Sequence, residues 1–288
     1  MRALLLLIGI LTLIPARSLQ AGTFVRFRTL FGDVEVELLD KERPITVQNF
    51  LQYVRDGSYS GMFFHRVVPN FIIQGGGFVN TGLGTTNEHL GQITTRAPIT
   101  NEFGIGPLIS NAAGTIAMAK TSDPNSATSQ FFFNLVDNAS SLDATNNSGG
   151  FTVFGRVVGG TNALALFNSF DGSRTPRTNY IVNANGATGG PFGELPVIHY
   201  PGTTENIFSI LIYCDVSLLD VQVTKQADTS RKITWSSAVN ATNVVEFTTN
   251  FPPVWTALTN LVRPPAGVAQ AVDPSGDPNR FYRVRTTY

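Results

Sequence analysis

The chain has 288 residues, and its 20 Lys and Arg residues balance its 20 Asp and Glu residues, so the formal net charge is zero. This length fits one large or two ordinary domains. A neutral chain without a basic stripe argues against a nucleic-acid partner. Its content of Gly, Thr, Asn and Phe favours strands and turns over a helix bundle.

The first 21 residues have the pattern of a secretory signal peptide. Arg2 precedes an apolar stretch at 4–14, and small residues follow, which predicts cleavage after Ser18 or Ala21. The alternative, a short membrane anchor, is disfavoured because this stretch is too short to span ~30 Å of hydrocarbon. We therefore predict an exported protein, periplasmic or secreted, with no membrane span after cleavage.

Cysteine and histidine give no sign of a metal site or a disulfide framework. The single cysteine, Cys214, cannot form an intramolecular disulfide, and its apolar surroundings predict a small buried residue. The three histidines are scattered, and no HExxH or CxxC spacing occurs. No metal and no cofactor are predicted.

The order of apolar and polar residues predicts short strands interrupted by two helices. Alternation at 23–39 and 63–74 predicts two strand pairs, the second turning at Pro69-Asn70. Helical spacing at 44–54 and 161–170 predicts the two helices. Further strands are predicted at 114–120, 130–135, 151–158 and 208–218, and a long loop at 75–107. Without a βαβ rhythm, this pattern indicates an antiparallel barrel or sandwich.

The composition changes after residue 218, and 219–288 predicts a small all-β accessory module. Its strands are predicted near 233–235, 244–247, 254–255 and 280–284. Trp235 and Trp255 could form a ligand-stacking surface, but packing in a core or an interface is the favoured interpretation.

Arg66 and Gln74 lie in an otherwise apolar and aromatic stretch, 63–77. A guanidinium in such surroundings is costly unless it is paired, exposed at a cleft or used in chemistry. If Pro69-Asn70 joins two strands, both polar side chains can reach one apolar surface. The glycines at 75–77 lack the context of a phosphate-binding loop, and close backbone packing explains them better.

Four segments together carry a resemblance to a known family: Phe64-His65-Arg66, Phe71-Ile72-Ile73-Gln74-Gly75-Gly76, Ala117-Met118-Ala119 and Ser129-Gln130-Phe131-Phe132. In this order they resemble the cyclophilin family of peptidyl-prolyl isomerases, and segments 126–132 and 153–155 are similar to its periplasmic bacterial branch. The resemblance spans roughly 23–216, and we assign 22–218 to an isomerase domain. It implies an all-β dominated fold, a closed eight-stranded antiparallel barrel capped by two helices.

The resemblance also implies the roles of individual residues. Arg66 would be catalytic, and Gln74 would hydrogen-bond the substrate or orient Arg66. The implied substrate-binding residues are His65, Phe71, Ile72, Ala119, Lys120, Gln130, Phe132, Leu142 and Phe151, of which Phe71, Ile72, Phe132 and Leu142 would line a proline pocket. Each role has a structural alternative: Arg66 as a paired structural arginine, Phe71 and Phe132 as core residues, His65 as a partly buried structural histidine. Strand alternation predicts that Phe131 and Phe133 face the core.

Ser141 departs from the family pattern. Animal members usually carry tryptophan at this position, which contributes to cyclosporin binding, and bacterial members often carry phenylalanine. We therefore expect weak cyclosporin binding, with isomerase activity less affected.

These patterns predict a peptidyl-prolyl cis/trans isomerase that acts on Xaa-Pro bonds of exported proteins and assists their folding. Its partners would be proline-containing polypeptides. The alternatives are a non-catalytic chaperone that binds Xaa-Pro segments, and an envelope adhesion protein in which residues 219–288 dominate.

Overall fold

The computed structural model describes residues 23–82, 85–170, 180–185, 191–198, 207–219, 221–237, 242–250, 252–262 and 267–287. The signal peptide predicted at 1–21 lies outside these residues. Within them, no helix is both long and apolar enough to cross a bilayer.

The part of the chain up to residue 218 contains twelve described strands and short helices. The strands are β1 (Phe24–Thr29), β2 (Gly32–Leu38), β3 (Arg66–Val68), β4 (Ile72–Gly75), β5 (Phe78–Thr81), β6 (His89–Gln92), β7 (Thr115–Met118), β8 (Phe131–Asn134), β9 (Val153–Gly159), β10 (Tyr180–Val182), β11 (Leu195–Val197) and β12 (Cys214–Leu218). The helices are α1 (Pro44–Arg55), α2 (Ala139–Leu142) and α3 (Thr161–Ala165), and Leu166–Ser169 and Ile207–Ile210 are 3₁₀ turns.

Eight of these strands form one antiparallel sheet in the order β12-β1-β2-β9-β7-β8-β4-β3. In the described residues, no ladder joins the two edge strands, so the prediction that the barrel is closed is not confirmed. The segments just before the edge strands do meet, at an isolated bridge between Phe63 and Tyr213. Beside it, Phe64 N–H donates to the Ile212 carbonyl at 3.0 Å. The all-β character and the eight strands agree with the sequence prediction.

The two faces of the sheet bury different side chains. On the inner face, Val67, Ile73, Ile116, Phe131 and Phe133 belong to the largest apolar cluster, which also receives Phe50 from α1 and Leu164 from α3. On the outer face, Ile72, Ala117, Phe132 and Val153 form a second cluster. The prediction that Phe131 and Phe133 face the core while Phe132 does not is therefore confirmed, because successive side chains along a strand point to opposite faces.

Some short elements differ from the sequence prediction. The segment predicted as a loop at 75–107 contains a hairpin, in which β5 pairs with β6. The four-residue helix α2 lies where a polar loop was predicted. Both are short, and neither has enough apolar positions to establish a period.

Glycine is required where the chain leaves β4. Gly76 has φ of 77°, and a Cβ there would lie 2.5 Å from the Ser129 carbonyl oxygen. Close backbone packing therefore accounts for glycine at this position, as the sequence indicated.

Residues after 220 form two three-stranded antiparallel sheets. They are built from β13 (Val221–Lys225), β14 (Arg231–Ser237), β15 (Thr242–Thr248), β16 (Thr256–Val262), β17 (Gly267–Asp273) and β18 (Phe281–Thr287), in the orders β13-β14-β17 and β16-β15-β18. Their shared cluster contains Ile233, Trp235 and Val245, so Trp235 is a core residue. The strand predicted at 254–255 is wrong, because the strand in this region is β16 and its ladder with β15 begins only at Thr256.

Candidate active site on the outer face of the sheet

One row of paired residues crosses the outer face of the sheet. Arg66 on β3 pairs with Gln74 on β4, Gln74 pairs with Phe132 on β8, and Phe132 pairs with Ala117 on β7. Paired residues on adjacent strands place their side chains on the same face. The predicted catalytic residues Arg66 and Gln74 are therefore neighbours of the predicted pocket residue Phe132. Adjacent strand pairing is enough to assemble them, whether or not the barrel closes.

An apolar cluster continues this row toward α2. Ile72, Phe132 and Leu142 are buried in it, and Phe71, Ala119 and Phe151 pack against it partly exposed. The rings of Phe132 and Phe151 meet edge to face with centroids 5.8 Å apart. Six of the predicted substrate-binding residues thus form one apolar surface beside Arg66 and Gln74.

Arg66 has a carboxylate partner. Its Nε donates to Oε2 of Glu194 at 2.5 Å, and the two side chains are 37% and 44% exposed. The arginine is therefore both paired and open to solvent at the edge strand β3. The sequence did not indicate Glu194, which is 128 residues away along the chain in a stretch rich in Gly and Pro.

Three polar side chains lie beside the arginine. Gln74 Nε2 donates to Oε1 of Gln130 at 2.8 Å, which fixes both amides. His65 is only 3% exposed, and its ring packs edge to face on Phe78 with centroids 5.0 Å apart. Burial lowers the pKa of His65 to about 4, and a hydrogen bond with Gln130 opposes this only in part. His65 is thus neutral at pH 7.

Lys120 lies at the other end of the apolar surface. Its ammonium is 4.1 Å from the centroid of the Phe151 ring and donates to the Ser148 carbonyl at 2.5 Å. Burial lowers the pKa of Lys120. The N–H of Ala119 already donates to the Gln130 carbonyl at 2.9 Å. The backbone N–H and C=O of Lys120 have no partner among the residues that the structure describes, so they can pair with an extended peptide.

A buried asparagine network, which the sequence patterns did not predict, holds the backbone of Phe71 and Phe151 in place. Asn138 Nδ2 donates to the Phe71 carbonyl at 2.9 Å and to Asn134 Oδ1 at 2.8 Å. Asn134 donates to Asn111, which donates in turn to the Phe151 carbonyl at 2.9 Å. Asn134 could have indicated this network from the sequence, because it lies in an otherwise apolar strand and a buried amide needs hydrogen-bond partners.

Ser141 is exposed next to the pocket residue Leu142. Its hydroxyl donates to the Asn138 carbonyl at 3.2 Å, and its own carbonyl accepts from Asn147 at 2.9 Å. The position that the sequence assigns to the rim is therefore a small polar side chain facing solvent.

The arrangement places fixed hydrogen-bond donors beside an apolar surface, and such donors can polarise a bound group without covalent chemistry. The family model "Cyclophilin type peptidyl-prolyl cis-trans isomerase/CLD" matches residues 24–185. A peptidyl-prolyl cis-trans isomerase of Acinetobacter baylyi is 44% identical over 152 residues, covering 53% of this chain and 74% of that protein. Peptidyl-prolyl cis-trans isomerase B of Escherichia coli is 42% identical over 146 residues, covering 49% and 80%.

The chain belongs to the cyclophilin-type peptidyl-prolyl cis-trans isomerase family. The family and the enzyme class predicted from the sequence are confirmed. Among solved structures, a cyclophilin-type isomerase of Cryptosporidium parvum, crystallised in the presence of the dipeptide Ala-Pro, aligns at 23% identity and a TM-score of 0.44 over 68% of this chain and 99% of that one.

Proposed function

We propose that this protein is exported and catalyses cis/trans isomerisation of Xaa-Pro bonds in proline-containing polypeptides, assisting the folding of other exported proteins. The observation that carries the proposal is the row of Arg66, Gln74 and Phe132 across three adjacent strands. The pattern of the first 21 residues supports export, and the family supports the reaction.

The reaction needs stabilisation of a twisted amide and no bond cleavage. The partial double bond of the peptide C–N gives a barrier of ~18–20 kcal/mol. Twisting removes the resonance and leaves a lone pair on the proline nitrogen. A guanidinium that donates to this nitrogen binds the twisted state better than the planar one. A charge-assisted hydrogen bond of about 1.5–3 kcal/mol corresponds to roughly one to two powers of ten in rate.

The other residues hold the substrate around the twisting bond. The apolar surface of Phe71, Ile72, Phe132 and Leu142 accepts the proline ring. The linked amides of Gln74 and Gln130 provide donors beside Arg66. The open backbone of Lys120 can pair with the peptide, so one end of the amide is fixed while the other rotates.

A protease-coupled assay with an Ala-Pro peptide tests the catalytic role. We expect Arg66→Ala to lower kcat/KM by tenfold to a hundredfold relative to wild type. Arg156→Ala is the matched control, because Arg156 is also ion-paired, with Glu37, but lies on β9; its activity should stay within twofold of wild type. Wild-type protein that does not exceed the uncatalysed rate contradicts the proposed activity, and a loss below fivefold in Arg66→Ala contradicts the role of Arg66.

Export is tested by expressing the full chain and determining the N-terminus of the mature protein outside the cytoplasm. We expect it to begin at Leu19 or Gly22. Retention of Met1 on protein that stays in the cytoplasm contradicts export.

A further inference from the structure

We propose that Glu194 is a positioning residue for Arg66: its carboxylate fixes the guanidinium so that the Nη groups face the substrate. This inference rests on the proposed isomerase function and adds a residue that the family match does not contain, since that match ends at residue 185.

The backbone of Glu194 also helps to orient the ion pair between Glu194 and Arg66. The Glu194 carbonyl accepts a hydrogen bond from Val67 N–H at 2.9 Å, next to Arg66 along β3. The same residue thus contacts β3 through its backbone and Arg66 through its side chain. Since both contacts come from one residue, the backbone hydrogen bond to β3 also fixes the position from which the Glu194 carboxylate holds the Arg66 side chain.

The segment that carries Glu194 is anchored by its own apolar cluster. Phe192 and Leu195, on either side of Glu194, are buried with Phe63 and Phe78. The Phe192 ring lies 4.8 Å from Phe78 and 5.9 Å from Phe63, centroid to centroid. Because the backbone of Glu194 is held between two buried anchors, only its side chain must be ordered when it orients the arginine, so less entropy is lost.

Occupation of Nε leaves the other guanidinium nitrogens available. Nη1 and Nη2 of Arg66 have no hydrogen-bond partner among the described residues. A guanidinium is a planar fork, so fixing Nε–H on one side sets the direction of the two Nη groups. These are the donors that can reach a proline nitrogen on the apolar surface.

The pair contributes to catalysis more than to folding stability. A half-exposed ion pair contributes little to folding stability. The lone pair on the proline nitrogen that accepts from Arg66 exists only in the twisted state, so aiming the Nη donors lowers the free energy of that state more than that of the bound planar peptide. Removal of Glu194 should therefore lower the rate of the twisting step more than substrate affinity.

A double-mutant cycle tests this inference. NMR exchange measurements on an Ala-Pro peptide give kcat and KM separately for wild type, Glu194→Ala, Arg66→Ala and the double variant. We expect Glu194→Ala to lower kcat by about tenfold with KM within twofold, and to have no further effect in the Arg66→Ala background. Glu194→Gln, which keeps an acceptor oxygen, should retain part of the lost activity.

Glu37→Ala is the matched control, because Glu37 also pairs with an arginine, Arg156 on β9; its kcat should not change. The positioning role is wrong if Glu194→Ala is within twofold of wild type or faster, or if it lowers kcat equally with and without Arg66. A second readout does not need activity: the Arg66 Nε–H resonance should be protected from exchange in wild type and lose this protection in Glu194→Ala. Inactive wild type with a protected Nε–H would contradict the proposed function alone, and an unprotected Nε–H in wild type would contradict the positioning role alone.

Discussion

His65 is a buried imidazole within the candidate site, and its protonation should control acid stability. Burial lowers its pKa from the ordinary 6.5 to about 4. The unfolded chain therefore binds the proton more tightly than the folded one. The histidine does not affect stability above pH 6.5, and it reduces the free energy of unfolding as the pH falls from 6.5 toward 4, by up to about 3 kcal/mol.

Denaturant unfolding at pH 7 and pH 4.5 measures this effect. We expect the loss of unfolding free energy between the two pH values to be smaller in His65→Gln than in wild type by about 1.5 kcal/mol or more. His89→Gln, at an exposed histidine, is the control and should show the wild-type loss. Equal losses in all three proteins would mean that His65 is not held neutral by the fold.

Ser141 gives a prediction about inhibitor binding at the rim of the pocket. We propose that cyclosporin binds weakly because this exposed residue offers little apolar area. Ser141→Trp should raise cyclosporin affinity at least tenfold, since burying part of an indole contributes more than about 1.4 kcal/mol. Titration calorimetry measures this affinity, Ser140→Trp is the neighbouring control, and an unchanged affinity in Ser141→Trp would contradict the rim assignment.

The sequence predicted the residues of the site that belong to local patterns. Phe132 could be separated from Phe131 and Phe133 by strand alternation alone, and Arg66 was conspicuous in an apolar stretch. Glu194 could not be found, because only the fold brings it to Arg66 and its own surroundings have no periodicity. The role of Asn111 could not be predicted from the sequence either, since its hydrogen bonds join segments that are far apart along the chain.

At the scale of elements, the start of α1 depends on a residue outside the helix. Arg43, which precedes the helix, makes no side-chain capping bond. The buried Glu102 accepts hydrogen bonds from the N–H groups of Ile45 at 3.2 Å and Thr46 at 2.8 Å, and from the Thr46 hydroxyl at 2.7 Å. The carboxylate thus satisfies donors that open the first turn.

Glu102→Ala should therefore lower the free energy of unfolding by about 1–3 kcal/mol, because two buried donors lose their partner. Glu102→Gln, which retains one acceptor oxygen, should lose less. Gln48→Ala, on the exposed side of the same helix, should stay within about 0.5 kcal/mol of wild type. Equal values for Glu102→Ala and Gln48→Ala in a denaturant titration would show that the cap is not needed.

The elements that the sequence predicted well are those long enough to repeat the periodic apolar pattern several times. Helix α1 and the strands β1 and β2 have enough apolar positions to fix both their type and their buried face. The hairpin of β5 and β6 was missed because each strand has four residues, too few to establish a period. Its position depends on tertiary contacts such as the bridge between Met62 and Val79, which local sequence does not encode.

At the scale of the whole molecule, the site and the C-terminal module use separate cores. The outer-face cluster is built from residues between 39 and 153, whereas the C-terminal cluster is built from residues between 233 and 284. Strands β13 to β18 form their two sheets with one another. The two regions should therefore unfold in separate steps, since each has its own apolar core and ladders.

Tryptophan fluorescence can test this separation without cutting the chain. The protein has two tryptophans, Trp235 and Trp255, and both lie in the C-terminal module. Fluorescence excited at the indole band therefore reports unfolding of that module alone, while isomerase activity reports the integrity of the eight-stranded sheet. In a urea titration of the full chain we expect two midpoints that differ by more than about 0.5 M, with the module unfolding first because its core is small. Ala271→Asp, which places a charge in the C-terminal core, should shift the fluorescence midpoint to lower urea and leave the activity midpoint unchanged. If the two midpoints coincide and move together in this variant, the protein unfolds as one cooperative unit.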